Sequence, residues 1–254
     1  MKRVDLNSDM GELPEAIADG TQEALMPSLT SVNVACGGHA GDAATMKTTV
    51  EQAMRWKLAI GAHPGYPDRA NFGRLELELP LAEISKSVSE QVRALAGVAS
   101  ALGVRLTHVK PHGALYNQAV HHRPLAQAIA EGVARWSRDV VLVGLAESPM
   151  LDVFREAGFA VAAEAFADRR YEPDGTLRSR RFADALICDP AEAARQALSI
   201  VEGGRVTAQN GTSVALSAQT LCIHGDTPGA PRIAAEVARR LREACVALKP
   251  LSAD

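Results

Sequence analysis

The chain has 254 residues, 47% of them apolar, and no linker or low-complexity segment divides it, so residues 1–254 read as one domain with a sizeable core. Its 27 basic and 30 acidic side chains leave a net charge of -3 with no long run of either sign, which excludes a nucleic-acid or anionic-membrane surface. No apolar run reaches transmembrane length, MKRVDLNSDMGE lacks a signal-peptide core, and Cys36, Cys188, Cys222 and Cys245 contain no CxxC pair, so the expectation is a cytoplasmic protein without a zinc ribbon or disulfide framework.

The chain opens with a strand over Arg3 to Asp9 that alternates Asp5, Asn7 and Asp9 with Val4 and Leu6, giving it one polar face. A short helical piece around Thr21 to Leu25 precedes a second strand, Ser28 to Cys36, which ends in Gly37-Gly38-His39. Asp42 is placed to cap a helix to about Trp56, with Met46, Val50 and Met54 as its buried stripe. Leu58 to Gly61 is a third strand leading to the AHPGYPD loop, where His63 sits at the mouth. A long helix from Leu81 to Leu102 closes on Gly103.

Val104 to Lys110 forms the fourth strand and runs into Pro-His-Gly. Its alternation puts His108, Lys110 and His112 on one face. At about 3.3 Å per residue, His108 and His112 lie about 13 Å apart on an extended strand, too far to share one ion, so His108 is the deeper residue. Beyond it come a helix from Pro124 to Trp136, a strand from Val140 to Gly144, a helix from Glu147 to Glu156 and a strand from Ala160 to Phe166. Pro173-Asp174-Gly175 marks the tip of a small hairpin. A helix from Pro190 to Glu202, a hairpin between Gly203 and Ser217, a seventh main strand from Thr220 to His224 and a helix from Pro231 to Ala247 complete the chain.

Strands alternating with helices predict a parallel sheet with helices outside, either a barrel or a doubly wound sheet. Polar motifs after nearly every strand favour the barrel, whose active sites draw on many strand ends at the C-terminal face. Sorted by strand end, the candidates are Asp9 and Glu12, His39 and Asp42, His63, Lys110 and His112, Glu164 with Asp168 and Arg169, and His224 with Asp226. Singly, each histidine has a structural reading as a hydrogen-bonded packing group; their recurrence at six strand ends points to a site. Asp9, His39 and His63 would suit zinc or another divalent ion, but no HExxH motif accompanies them, and acid/base and hydrogen-bonding roles are the first reading. There is no GxxxxGK[ST] loop and no GxGxxG after the first strand, so a standard nucleotide cradle is missing.

The motifs DLNSDMGE (5–12), SVNVACGGHAGD (31–42), GAHPGYPD (61–68), HVKPHGALYN (108–117), EAFADRRY (164–171) and CIHGDTPG (222–229) together resemble the LamB/YcsF family of 5-oxoprolinase A subunits. The resemblance implies a distorted seven-stranded β/α barrel of the glycoside hydrolase/deacetylase type. It implies ATP-dependent hydrolysis of 5-oxo-L-proline to L-glutamate together with partner subunits B and C, with ATP and its Mg2+ bound in a site shared with or carried by a partner. On that reading Asp9, His63, Lys110, His112 and Asp226 are the catalytic candidates, and Glu12, His39, Asp42, Glu164, Arg169 and His224 the substrate-binding ones. Lys110 and Arg169 would hold carboxylate or phosphoryl oxygens, because both carry a fixed positive charge. The alternatives are a metal-dependent deacetylase acting on a sugar amide, with a bound divalent metal, and a non-catalytic subunit that only binds substrate.

Overall fold

The computed structural model describes residues 2–252. Seven parallel strands close a barrel: β1 (Arg3–Met10), β2 (Ser31–Ala35), β3 (Ala59–His63), β4 (His108–Val109), β5 (Val141–Leu145), β6 (Ala160–Phe166) and, after the small hairpin of β7 (Arg205–Thr207) and β8 (Ser213–Ala215), β9 (Thr220–Cys222). Closure comes from β9, which pairs in parallel with both β6 and β1. The short α1 (Pro14–Ala18) and α2 (Thr21–Leu25) follow the first strand. Around the barrel run α3 (Ala43–Arg55), α4 (Leu81–Ala101), α5 (Gly113–Ala119), α6 (Arg123–Ala134), α7 (Pro149–Glu156), α8 (Pro190–Gly203) and α9 (Ala230–Glu243). This is the distorted seven-stranded β/α barrel expected above.

Several boundaries differ from the expectation: β3 runs on to His63, β4 shrinks to His108–Val109, and three more shift for local reasons. Met26–Ser28 forms a single 3-10 turn around Pro27, so β2 starts only at Ser31. His112 sits at the N-terminal boundary of α5, a seven-residue helix too short to leave a periodic trace. The last helix stops at Glu243, and β10 (Ala247–Leu248) then pairs with Arg3 and Val4 at the start of β1.

The two strand faces divide the barrel's chemistry. Outward-facing Val4, Leu6, Val32, Val34, Ile60, Ala62, Val109 and Leu142 join the helices in one continuous apolar core. The lumen is polar instead and is satisfied by side chains. Asp5 accepts from the hydroxyls of Thr30, Ser31 and Thr220. Asn33 donates to Asn7 and Asp9, both at 2.8 Å, and Asn7 donates to Glu164 at 3.0 Å. His108 spans to Asn33 Oδ1 at 2.9 Å while Thr107 donates to its other nitrogen, and burial pushes this imidazole down to about 3, so it is a neutral orienting group. Gly61 makes room for it: a Cβ there would lie 2.2 Å from His108 Nε2. Val141, Val143 and Ala162 make a separate apolar cluster, and Leu251, just after β10, packs against it.

Asp5 reports on this interior. Burial raises its carboxyl to about 6, against the opposing hydroxyl hydrogen bonds. A folded-state value above the unfolded one means stability present below about pH 4 and lost as pH rises through about 6. Asp5→Asn removes that dependence. The variant's stability relative to wild type is expected to improve by on the order of 3 kcal/mol between pH 4 and 7 in urea unfolding, and an unchanged difference would place the Asp5 proton elsewhere.

Candidate active site

The strand C-terminal ends open into a cleft of about 690 Å³. At its floor lies Lys110, which follows β4 and reaches across the lumen. Its ammonium is 2.9 Å from Asp9 Oδ1 of β1 and 2.9 Å from Glu164 Oε1 of β6, with Cys222 Sγ of β9 at 3.2 Å. Burial opposes the charge, but Asp9, Cys222 and Glu164 hold Lys110 well above its ordinary value. An ammonium has three N–H groups, and these neighbours occupy them. Lys110 therefore contributes a fixed charge to the floor rather than a free donor, a correction to the role of gripping substrate oxygens.

Beside it, Glu12, His39, His63 and His112 converge from the ends of β1, β2, β3 and β4. Glu12 Oε1 lies 2.8 Å from His39 Nε2, 3.0 Å from His112 Nδ1 and 3.6 Å from His63 Nε2. His63 Nε2 is also 3.3 Å from Asp9 Oδ2 and 3.0 Å from His112 Nδ1. The rings of His39 and His112 stack at 3.5 Å. Burial pushes His39 down to about 4 in spite of Glu12, so it is neutral. For His63 burial works in the same direction, but Asp9 and Glu12 outweigh it and raise the imidazole above its ordinary value. Burial likewise disfavours the charged forms of Glu12 and Asp9, yet the imidazole of His112 holds Glu12, and His63 with Lys110 holds Asp9, well below the usual carboxylate range.

A second histidine–carboxylate pair stands where β6 and β9 end, with His224, Cys222 and Asp9 bringing side-chain atoms within 4.8 Å of one another. Asp168 Oδ1 accepts from His224 Nδ1 at 3.0 Å, and its other oxygen accepts from Thr227 Oγ1 at 2.6 Å and the His224 amide at 2.9 Å. Burial disfavours the Asp168 carboxylate, but His224 and Thr227 hold it below its ordinary value. A buried carboxylate fixing one imidazole nitrogen leaves the other free to exchange protons at the cleft, which His224 lines.

Arginines form the rim. Arg169 is buried, lines the cleft and spends Nη2 on the Arg178 carbonyl at 2.7 Å; burial and then Arg180 lower its guanidinium to about 10, still charged at neutral pH. Asp226 is 2.7 Å from both Arg74 and Arg180. Burial raises and these guanidinium groups lower its carboxyl, with a net fall below the ordinary value, so Asp226 positions arginines and is a poor proton carrier. Asp42 lies outside the cleft: it is exposed and caps α3 through Thr45 N at 2.8 Å in a capping box. Arg74 and Arg180 escaped the sequence reading because they sit in loops whose pairing through Asp226 joins residues far apart in the chain; the tight run Arg178 to Arg181 was the available signal. The excursion after β6, bridged at Arg169–Leu186 and Tyr171–Leu177, supplies that wall.

Fold and site together define a class: a seven-stranded β/α barrel with a titratable lumen, two histidine–carboxylate stations and an arginine-rimmed mouth. Within it, the chain belongs to the LamB/YcsF family, which it matches over residues 4–254. It is 50% identical over 249 residues to a Chloroflexus aggregans protein named as the A subunit of 5-oxoprolinase, covering 98% of this chain and 99% of that one. Among solved structures, a lactam utilization protein from Thermus thermophilus superposes with a TM-score of 0.90 at 41% identity, covering 98% of this chain and 100% of that one. A family 4 carbohydrate esterase from Streptomyces lividans shares the fold alone, with a TM-score of 0.52 at 12% identity over 99% of this chain and 93% of its own.

The Lys110 tie has a measurable energy. Lys110→Met leaves Asp9 and Glu164 buried without their counter-charge and is expected to cost about 3–5 kcal/mol in urea unfolding at pH 7. The loss should shrink toward pH 4 as the stranded carboxylates take up protons, and a pH-independent loss would argue for packing instead.

Proposed function

We propose that this chain is the A subunit of a 5-oxoprolinase, opening the lactam ring of 5-oxo-L-proline to L-glutamate with partner subunits B and C at the expense of ATP. The observation that carries the reading is the pair of histidine–carboxylate stations that line one arginine-rimmed cleft. The relatives' name supplies the substrate and the subunit character. With no P-loop motif in the sequence, ATP and its Mg2+ are assigned to a partner or to a site shared with one.

An unstrained lactam is a poor electrophile, and phosphorylation of its amide oxygen activates the ring carbon. Arg169, with Arg74 and Arg180 at the rim, holds the substrate carboxylate, and the Lys110 charge stabilises negative charge developing on the oxygen. The station of Glu12, His63 and His112 draws a proton from water as its oxygen bonds to the carbon. The ring C–N bond then breaks, its electron pair stays on nitrogen, and His224, steadied by Asp168, returns a proton there. The resulting acyl phosphate reacts with a second water to give glutamate and phosphate.

The test is ATP-dependent glutamate release from 5-oxoproline by the reconstituted A, B and C subunits. Glu12→Gln and His112→Asn are each expected to lower kcat by at least about 100-fold. Asp42→Ala should keep kcat and lose about 1 kcal/mol of stability, as befits a helix cap. No glutamate above background from the wild-type complex, or an undiminished rate with Glu12→Gln, overturns the proposal.

A further inference from the structure

We infer that Glu12, His63 and His112 form a divalent-cation site, with His39 holding Glu12 in place. The tautomers are set from outside the cluster. His63 Nδ1 lies 2.7 Å from the Lys110 carbonyl, and His112 Nε2 lies 2.9 Å from the Phe72 carbonyl. Carbonyl oxygens only accept, so each ring carries its proton on that outer nitrogen and, when neutral, turns a lone pair inward. His63 Nε2, His112 Nδ1 and Glu12 Oε1 then face one another as three acceptors, with edges of 3.0, 3.0 and 3.6 Å. Such a triangle repels itself unless something positive sits among its corners.

Its dimensions suit an ion. Tetrahedral coordination with bonds of about 2.0–2.1 Å separates ligand atoms by about 3.3–3.4 Å, and the three edges bracket that separation. The donors are two imidazoles and one carboxylate, which suit zinc or a similar first-row ion better than magnesium or calcium. The outer carbonyls orient both rings as supporting groups do around histidine ligands.

His39 completes the arrangement from behind. Its Nδ1 has no hydrogen-bond partner among the described residues, and a bare acceptor is less costly to bury than an unpartnered N–H, so the proton sits on Nε2 and is donated to Glu12 at 2.8 Å. The wall is built closely around these rings. A Cβ at Gly65 would lie 2.7 Å from His39 Nδ1, and one at Gly73 would lie 2.7 Å from His39 Cβ. The Phe72 ring packs edge-on against both His39 and His112. Asp9 adds a second carboxylate 3.3 Å from His63 Nε2, while the nearby ammonium of Lys110 is already engaged by Asp9 and Glu164. The side toward the cleft, which Asp9, Glu12, His63 and His112 line, is left for a water or a substrate oxygen. A bound ion would supply Lewis acidity there.

This inference stands on donor geometry; an ion on these lone pairs would replace the proton-accepting role given to them in the proposed reaction and would polarise the attacking water itself. Glu12→Gln would lower turnover with or without an ion, so the test reads binding. The full-length chain, stripped with chelator and dialysed, is titrated with Zn2+ and with Mn2+ by calorimetry, and bound metal is counted by elemental analysis. We expect one Zn2+ per chain and a melting temperature that rises with zinc. Glu12→Gln, His63→Asn and His112→Asn should each weaken binding by at least about 100-fold, and His39→Asn by about 10-fold, the scale of a supporting group. His122→Asn, at an exposed histidine outside the cluster, should bind as wild type and rise in melting temperature as wild type does. Cys222→Ser separates this site from the neighbouring group of Asp9, Cys222 and His224, and unchanged zinc affinity assigns the ion to the histidines. A folded wild-type chain that takes up no metal would make an extra proton the occupant of the triangle and overturn the proposal. So would zinc affinity that survives Glu12→Gln and His63→Asn, or that disappears with Cys222→Ser.

Discussion

One buried ammonium holds the centre of this barrel together. Lys110 extends from the end of β4 to carboxylates on β1 and β6, so strands that are not neighbours in the sheet are joined through a side chain. Taking three charges out of water is costly, and the arrangement persists because each is met by an opposite charge or a donor at hydrogen-bonding distance. Asn7 and Asn33 extend the tie by bonding to Glu164 and Asp9. The polar lumen is therefore one connected lattice, and its groups have little freedom to drift.

Rigidity of that kind divides the labour around the cleft. Because the Lys110 N–H groups are spent, the positive charge nearest the cleft mouth comes from guanidinium groups on the rim, where Asp226 braces Arg74 and Arg180. Because Asp9 and Glu12 are held ionised, they can keep a proton or an ion on the neighbouring imidazoles without themselves becoming neutral. Asp168 and His224 make a second pair that reaches the first through Asp9, because Asp9, Cys222 and His224 bring side-chain atoms within 4.8 Å of one another.

Much of the architecture was legible in the order of residues. Strand alternation in Asp5–Asn7–Asp9 and in His108–Lys110 announced a polar interior, and rise per residue ranked His108 below His112 in depth. Burial of His108 against Asn33 agrees with that ranking. What could not be read were relations set by closure. Glu12 and His112 stand a hundred residues apart and meet because β1 and β4 are carried to one rim. Periodicity likewise shows that Lys110 is charged but not that its donors are used up, and it cannot separate a cap such as Asp42 from a site residue after the same strand. The two-residue β10 is shorter than any repeating pattern.

Leu251 packs against Val141 and Val143 of β5 and Ala162 of β6, while β10, just before it, pairs with the start of β1. The last described stretch of the chain is thus fastened twice, once by backbone pairing and once by apolar contact, to strands on different sides of the barrel. Losing it would loosen β1, β5 and β6 together at the end away from the cleft.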